Sequence, residues 1–169
     1  MRVRKIVYLS LVVLIASNCS TNDVSRQRLF DVTELSIGEL SAAMNDGSAT
    51  SVELVDSYLA RIAAYDQRGP VLNAMITLNP GARETAAKLD EERRSGQLRG
   101  PLHGIPIVVK DNYDTVDMTT TAGSIALATS RPPDDATQVR RLRDAGAVIL
   151  GKTNMHELAI GITTIASYG

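Results

Sequence analysis

Gly100-Pro101-Leu102-His103-Gly104-Ile105-Pro106-Ile107-Val108-Val109-Lys110-Asp111-Asn112 is the stretch on which the rest of the chain is organised. Glycine and proline break the chain at its start, and the apolar run Ile105 to Val109 then delivers a lysine. Short β-branched runs bounded by Gly and Pro suit a strand inside an α/β sheet, and Pro106 is tolerable at a strand start. The carboxyl ends of such strands are where open α/β sheets place their chemistry. A lysine stripped of water there can work in its neutral form as a general base or nucleophile. A solvated or ion-paired lysine is the ordinary alternative.

Outward from this strand, the elements alternate. Ser36 and Glu39 have the spacing of a capping box ahead of Ile37, Leu40 and Met44, with a stop at Gly47. Thr50 and Glu53 repeat the device before a longer helix with Val52, Val55, Leu59 and Ile62 on one face, predicted to run to Gly69-Pro70. Leu72, Ala74, Ile76 and Leu78 alternate with polar or intermediate residues, the period of a half-buried strand. Asn79-Pro80 then opens a predicted helix over 81–95, with Ala82, Ala86 and Leu89 inward and the pairs Glu84/Lys88 and Asp90/Arg94 on its wet side.

Beyond Lys110, the hydroxyl-rich run 114–124 reads as a loop. Asp135 and Gln138 are expected to cap a helix carrying Val139 and Leu142, followed by a short strand Ala147 to Leu150 and a helix over Met155 to Ile160. This order indicates an α/β sheet, in which the Lys110 strand and the 147–150 strand are parallel if they are neighbours.

Composition narrows the function. The chain has 169 residues, 44% of them hydrophobic, and a formal net charge of −1, with no basic patch interleaved with aromatics to support nucleic-acid binding. A single cysteine excludes an internal disulfide framework and a CxxC metal site. Residues 1–18 have the form of a secretory signal, with Arg2, Arg4 and Lys5 ahead of the apolar run Ile6 to Ala16. That run would cover about half of a bilayer core, too little for a stable span. Cys19 follows directly, as the lipid-modified cysteine does in bacterial lipoproteins, although Asn18 departs from the small residue usual before it. Lipidation of Cys19 and simple cleavage are both open, and either makes the mature protein exported, periplasmic or extracellular. Removing 1–18 takes three basic residues and no acidic one, moving the net charge to −4. Residues 19–35 are read as a polar tether and 36–169 as the folded part.

Other motifs carry less. His156-Glu157 lacks the second histidine of HExxH, since residue 160 is Ile. His103 is expected to be structural or on the surface. Gly151-Lys152-Thr153 imitates the end of a phosphate-binding loop and is set aside. No G-x-S-x-G elbow surrounds Ser124.

Three ordered blocks, the stretch 100–112, Thr120-Thr121-Ala122-Gly123-Ser124, and Ala145-Gly146-Ala147-Val148-Ile149-Leu150-Gly151-Lys152-Thr153-Asn154-Met155, resemble the amidase signature family over about residues 35–169. The resemblance implies a three-layer α/β/α sandwich around a mixed sheet, incomplete in this chain. It implies an amidase acting on a small-molecule amide through a serine acyl-enzyme, with Lys110 as the base and no metal or organic cofactor; Gly123 and Ser124 are candidate substrate-binding residues from their place in the hydroxyl-rich loop, with loop solvation as the alternative. The family's bridging serine and nucleophilic serine stand in later glycine-serine blocks that residues 1–169 do not contain. Two alternatives stay open: a non-catalytic, membrane-tethered binding module derived from an amidase half, and a protein like the amidase component of the glutamyl-tRNA amidotransferase.

Overall fold

A computed structural model describes residues 29–161 and 165–169, so the signal segment and Cys19 lie outside the described residues. Its centre is a three-stranded mixed sheet of β1 (Met75–Leu78), β2 (Pro106–Lys110) and β3 (Val148–Thr153) in the order β1-β3-β2. β3 runs parallel to β2, as expected if the Lys110 strand and the later strand are neighbours, and antiparallel to β1. Four helices surround it: α1 (Ile37–Asp46), α2 (Ser51–Tyr65), α3 (Ala82–Arg94) and α4 (Thr137–Asp144). β3 side chains alternate between two helical layers. Val148 and Leu150 pack with Val55 of α2 and Ala82, Ala86 and Leu89 of α3, while Ile149 packs with Val109, Met118 and Val139 of α4. The sandwich expected from the sequence is therefore present around this sheet.

Both early capping boxes form as their spacing predicts. The Ser36 amide donates to Glu39 Oε2 at 2.7 Å and the Thr50 amide to Glu53 Oε2 at 2.8 Å, each satisfying an amide that a helix start leaves free.

Several boundaries move, each for a tertiary reason. The segment read as a tether is already packed at its end: Val32 is buried with Leu40, Met44, Leu54 and Ile105, and Phe30 and Leu35 lie against the same cluster. α2 stops at Tyr65 instead of reaching Gly69, because buried Asp66 turns inward and accepts hydrogen bonds from the Ala74 and Met75 amides. Those bonds, with Val71 and Asn73 at positive φ, shape residues 66–74 as a turn and leave only 75–78 for the strand. Leu72, predicted inward, is 64% exposed. Asp135 does not cap α4. It accepts from the Val116 amide at 2.9 Å and pairs with Arg143, fastening the 114–124 loop to that helix.

Asp90 does not pair with Arg94, which meets Glu91 instead. Its two carboxylate oxygens accept from the Ser51 and Val52 amides at 2.7 and 3.1 Å, so α3 supplies an acceptor to the amino end of α2. An anionic acceptor for free amides at a helix start stabilises by about 1 kcal/mol. Asp90→Ala is expected to lower the urea midpoint accordingly with little change in slope, because the surface exposed on unfolding is the same.

The last strand is longer than predicted. β3 continues through Gly151-Lys152-Thr153, held by β1 on one side and β2 on the other. A side chain at 151 has no room, since a Cβ there would come within 2.5 Å of the Thr77 carbonyl oxygen. The helix expected over 155–160 is only a short turn, Glu157–Ala159, with Leu158 and Ala159 at positive φ.

Candidate active site

Lys110 ends β2 beside Thr153 of β3. Side chains alternate along a strand, so Val109 and Asp111 enter the interior while Lys110 projects from the opposite side. Its side chain is exposed, and the desolvation expected from the preceding apolar run is not supplied by the described residues. Ile107 and Val109 lie on the other face, and Val108, which shares the face of Lys110, is itself 42% exposed.

The buried charge at this end of the sheet is elsewhere. Asp111 and Lys152 are both fully buried and pair at 3.2 Å. The Lys152 ammonium donates to the Thr119 carbonyl at 3.2 Å and the Thr120 hydroxyl at 2.9 Å, and meets Asp111 Oδ1 as an ion pair. Burial pushes the Lys152 ammonium below the ordinary lysine range, and the Asp111 carboxylate opposes that shift. The other Asp111 oxygen accepts from the Thr121 amide at 3.1 Å, the Thr121 hydroxyl and the Gly123 amide at 3.4 Å. Hydroxyl-rich residues 119–124 thus form a loop, as predicted, but an interior one: Thr121 is fully buried and Ser124 nearly so.

Lys152 is the residue that sequence reading missed. Gly146 stands five residues before Gly151, so Gly146-Ala147-Val148-Ile149-Leu150-Gly151-Lys152-Thr153 does meet the spacing of a phosphate-binding loop, and spacing is no ground for setting it aside. The structure supplies the ground. The segment is an extended strand with its amides in the sheet, and its lysine is committed to Asp111. A phosphate-binding loop needs free amides at a helix start.

Gly123 and Ser124 stand on the far side of this network. Gly123 has φ +68°, and a Cβ there would meet the Met155 carbonyl oxygen at 3.0 Å. Its own carbonyl accepts from the Ser167 and Tyr168 amides at 3.1 and 3.2 Å. The Ser124 hydroxyl donates to Glu157 Oε1 at 2.6 Å, and the Ile125 amide to the Ser167 hydroxyl at 2.9 Å. The structure thereby ties the predicted binding residues to segment 165–169.

The Ser124 hydroxyl, and then Ser167, hold the Glu157 carboxyl below the usual carboxylate range. A carboxylate with a depressed folded value contributes stability that is complete above its unfolded value, about 4.3 for Glu, and is lost as pH falls through the folded value. Below about pH 4, segment 165–169 is expected to loosen from Gly123 and Ser124. Amide exchange at Ser167 checks this, and Glu157→Gln should remove the pH dependence.

His103 is structural. It is 3% exposed, its Nδ1 accepts from the Arg99 amide at 3.1 Å, and Nε2–H then donates to the Leu89 carbonyl at 2.9 Å. Among the described residues, no three His, Cys, Asp or Glu side chains come together as a metal site.

A mixed sheet between helices, with a lysine at the end of the parallel β2/β3 pair and a buried polar loop behind it, defines an amidase-like α/β fold. The family model described as Amidase matches residues 53–169, and the chain belongs to that family. The peptide amidase of Stenotrophomonas maltophilia is 54% identical, with a TM-score of 0.75 over 79% of this chain and 28% of that one. An amidase family protein from Bacillus anthracis is 41% identical, with a TM-score of 0.74 over 82% of this chain and 28% of that one. A component of the glutamyl-tRNA(Gln) amidotransferase of Salinispora tropica is 44% identical over 135 residues, 79% of this chain and 27% of the relative. The chain thus spans about a quarter of the length of the relatives it matches.

Proposed function

We propose that this chain supplies the lysine base of a serine-dependent amidase acting on a small-molecule amide. The observation that carries it is Lys110 at the carboxyl end of β2, with the Gly123-Ser124 loop fixed behind the same strand end. In the intact site, a nucleophilic serine attacks the amide carbonyl. Its proton passes through the bridging serine to the Lys110 amine and is returned to the leaving amine. Water then hydrolyses the acyl-enzyme, and backbone amides of the glycine-rich segment hold the oxyanion.

Both serines belong, by the family resemblance, to blocks beyond residue 169. A polypeptide of residues 1–169 alone is therefore expected to show no turnover of aryl amides, since the groups of a catalytic triad act as a unit. The intact gene product should turn them over, and Lys110→Ala should abolish this. Extension of the reading frame into glycine-serine blocks supports the enzyme, whereas a stop codon supports the binding-module alternative.

The name of the Salinispora relative favours a second reading, a component of a glutamyl-tRNA(Gln) amidotransferase. Residues 1–18 favour export instead, because a basic start before a short apolar run is the form of a secretory signal. Mass spectrometry of the mature amino terminus decides between them. Loss of about 18 residues supports an exported amidase, and Cys19→Ala should release a lipid-anchored form from membranes. Retention of Met1 supports the amidotransferase reading.

A further inference from the structure

Asp111 follows Lys110 by one peptide bond and is tied to its surroundings in two ways. Its amide donates to the Thr153 carbonyl at 3.2 Å, which continues the β2/β3 ladder past Lys110, and its carbonyl accepts from the Ala122 amide at 3.1 Å. Its carboxylate holds Thr121 and Gly123 through one oxygen and Lys152 through the other. Lys152 in turn holds Thr119 and Thr120, so the two side chains grip the loop at both its start and its end.

Fold stability alone does not call for this arrangement. A buried ion pair replaced by apolar residues of similar volume is often neutral or stabilising. An apolar residue at 111, however, offers no acceptor to the buried Thr121 and Gly123 amides, and such orphaned donors are costly. The acceptor oxygen at 111 is thus what holds the polar loop against the strand end that carries Lys110.

We propose that Asp111, together with Lys152, is a positioning residue of the amidase site: one carboxylate sets both the strand end presenting Lys110 and the loop presenting Gly123 and Ser124. The proposal rests on the reading of Lys110 as the base.

Two double variants of the intact gene product separate positioning from stability. Asp111→Asn with Lys152→Met removes both charges but keeps an oxygen that can accept from Thr121 and Gly123. Asp111→Leu with Lys152→Met removes the acceptor as well. The Asn double variant is expected to melt near the parent protein, and the Leu double variant lower, because it orphans the buried Thr121 and Gly123 amides. The Asn double variant should keep kcat within a few-fold of the parent, while the Leu double variant should lose about 100-fold in kcat with KM nearly unchanged, the size of effect expected from a misplaced site. Thr121→Val, which keeps shape and loses one hydroxyl, should lose about tenfold in kcat with a melting temperature lowered by only a few degrees. Parent-like kcat in Thr121→Val, or in the Leu double variant assayed well below its own melting temperature, overturns the proposal.

Failure of the underlying reading shows differently. If Lys110→Ala leaves turnover intact, Lys110 is not the base, whatever the Asp111 variants do. If the gene product has no turnover at all, the positioning role is read from amide exchange at Thr121 and Gly123. Faster exchange in Thr121→Val, with protection unchanged in α2, supports it, and unchanged exchange overturns it.

Discussion

Lys110→Arg in the intact gene product is expected to lose amide turnover by about 10²–10⁴-fold, nearly as much as Lys110→Ala, the range that general acid–base catalysis contributes. A base must give up its own proton before it can accept the nucleophile's, and a guanidinium does not deprotonate in the working range. Arginine preserves the positive charge and much of the length, so the comparison isolates basicity. Steady-state kinetics on an aryl amide across pH measures it. Lys110 projects from the end of β2 on the side opposite Val109 and Asp111, so neither substitution disturbs the buried network, and melting temperatures should stay near that of the parent. Strong residual turnover in the arginine variant would show that the site uses charge rather than proton transfer.

Lys152→Met is expected to act on stability, destabilising the fold by about 3–5 kcal/mol, as removal of one partner from a buried ion pair does. Asp111 would be left fully buried with its Oδ1 facing a thioether, and Thr119 and Thr120 would lose the ammonium that joins them. Methionine fills similar volume, so the loss reflects the uncompensated carboxylate rather than a cavity. Urea unfolding measures the effect. Lys88→Met provides the contrast, because the Glu84–Lys88 pair on α3 is solvent-exposed on both sides and exposed pairs contribute little. A midpoint that moves equally in both variants would deny the buried pair any special weight.

These two lysines show which parts of the site were readable. Lys110 stands out in the sequence because a β-branched run bounded by Gly and Pro ends on it, and both features are local. Lys152 does not, because its meaning lies in Asp111, 41 positions earlier, and only the parallel register that sets Val109 against Lys152 and Lys110 against Thr153 brings the two together. Gly151-Lys152-Thr153 has the composition of a turn or a helix start. It becomes strand because β1 and β2 pair with it from either side, a long-range effect that overrides local preference. Asp66, Asp90 and Asp135 follow the same pattern. Each looks like a surface or capping carboxylate from its neighbours, and each serves amides outside its own element.

Local pattern was enough for the capping boxes at Ser36 and Thr50, the inward face of α3, the strand ending on Lys110, the loop character of 114–124 and the family resemblance. All rest on spacings within one element or on short ordered blocks, and such patterns survive whatever packs around them. Other features exist only in the folded chain: Val32 joins the core, α2 ends at Asp66, Lys110 faces outward and Lys152 is buried against Asp111. Burial and ion pairing depend on which segments meet across the sheet, and that is set by register and layer packing rather than by the residues on either side.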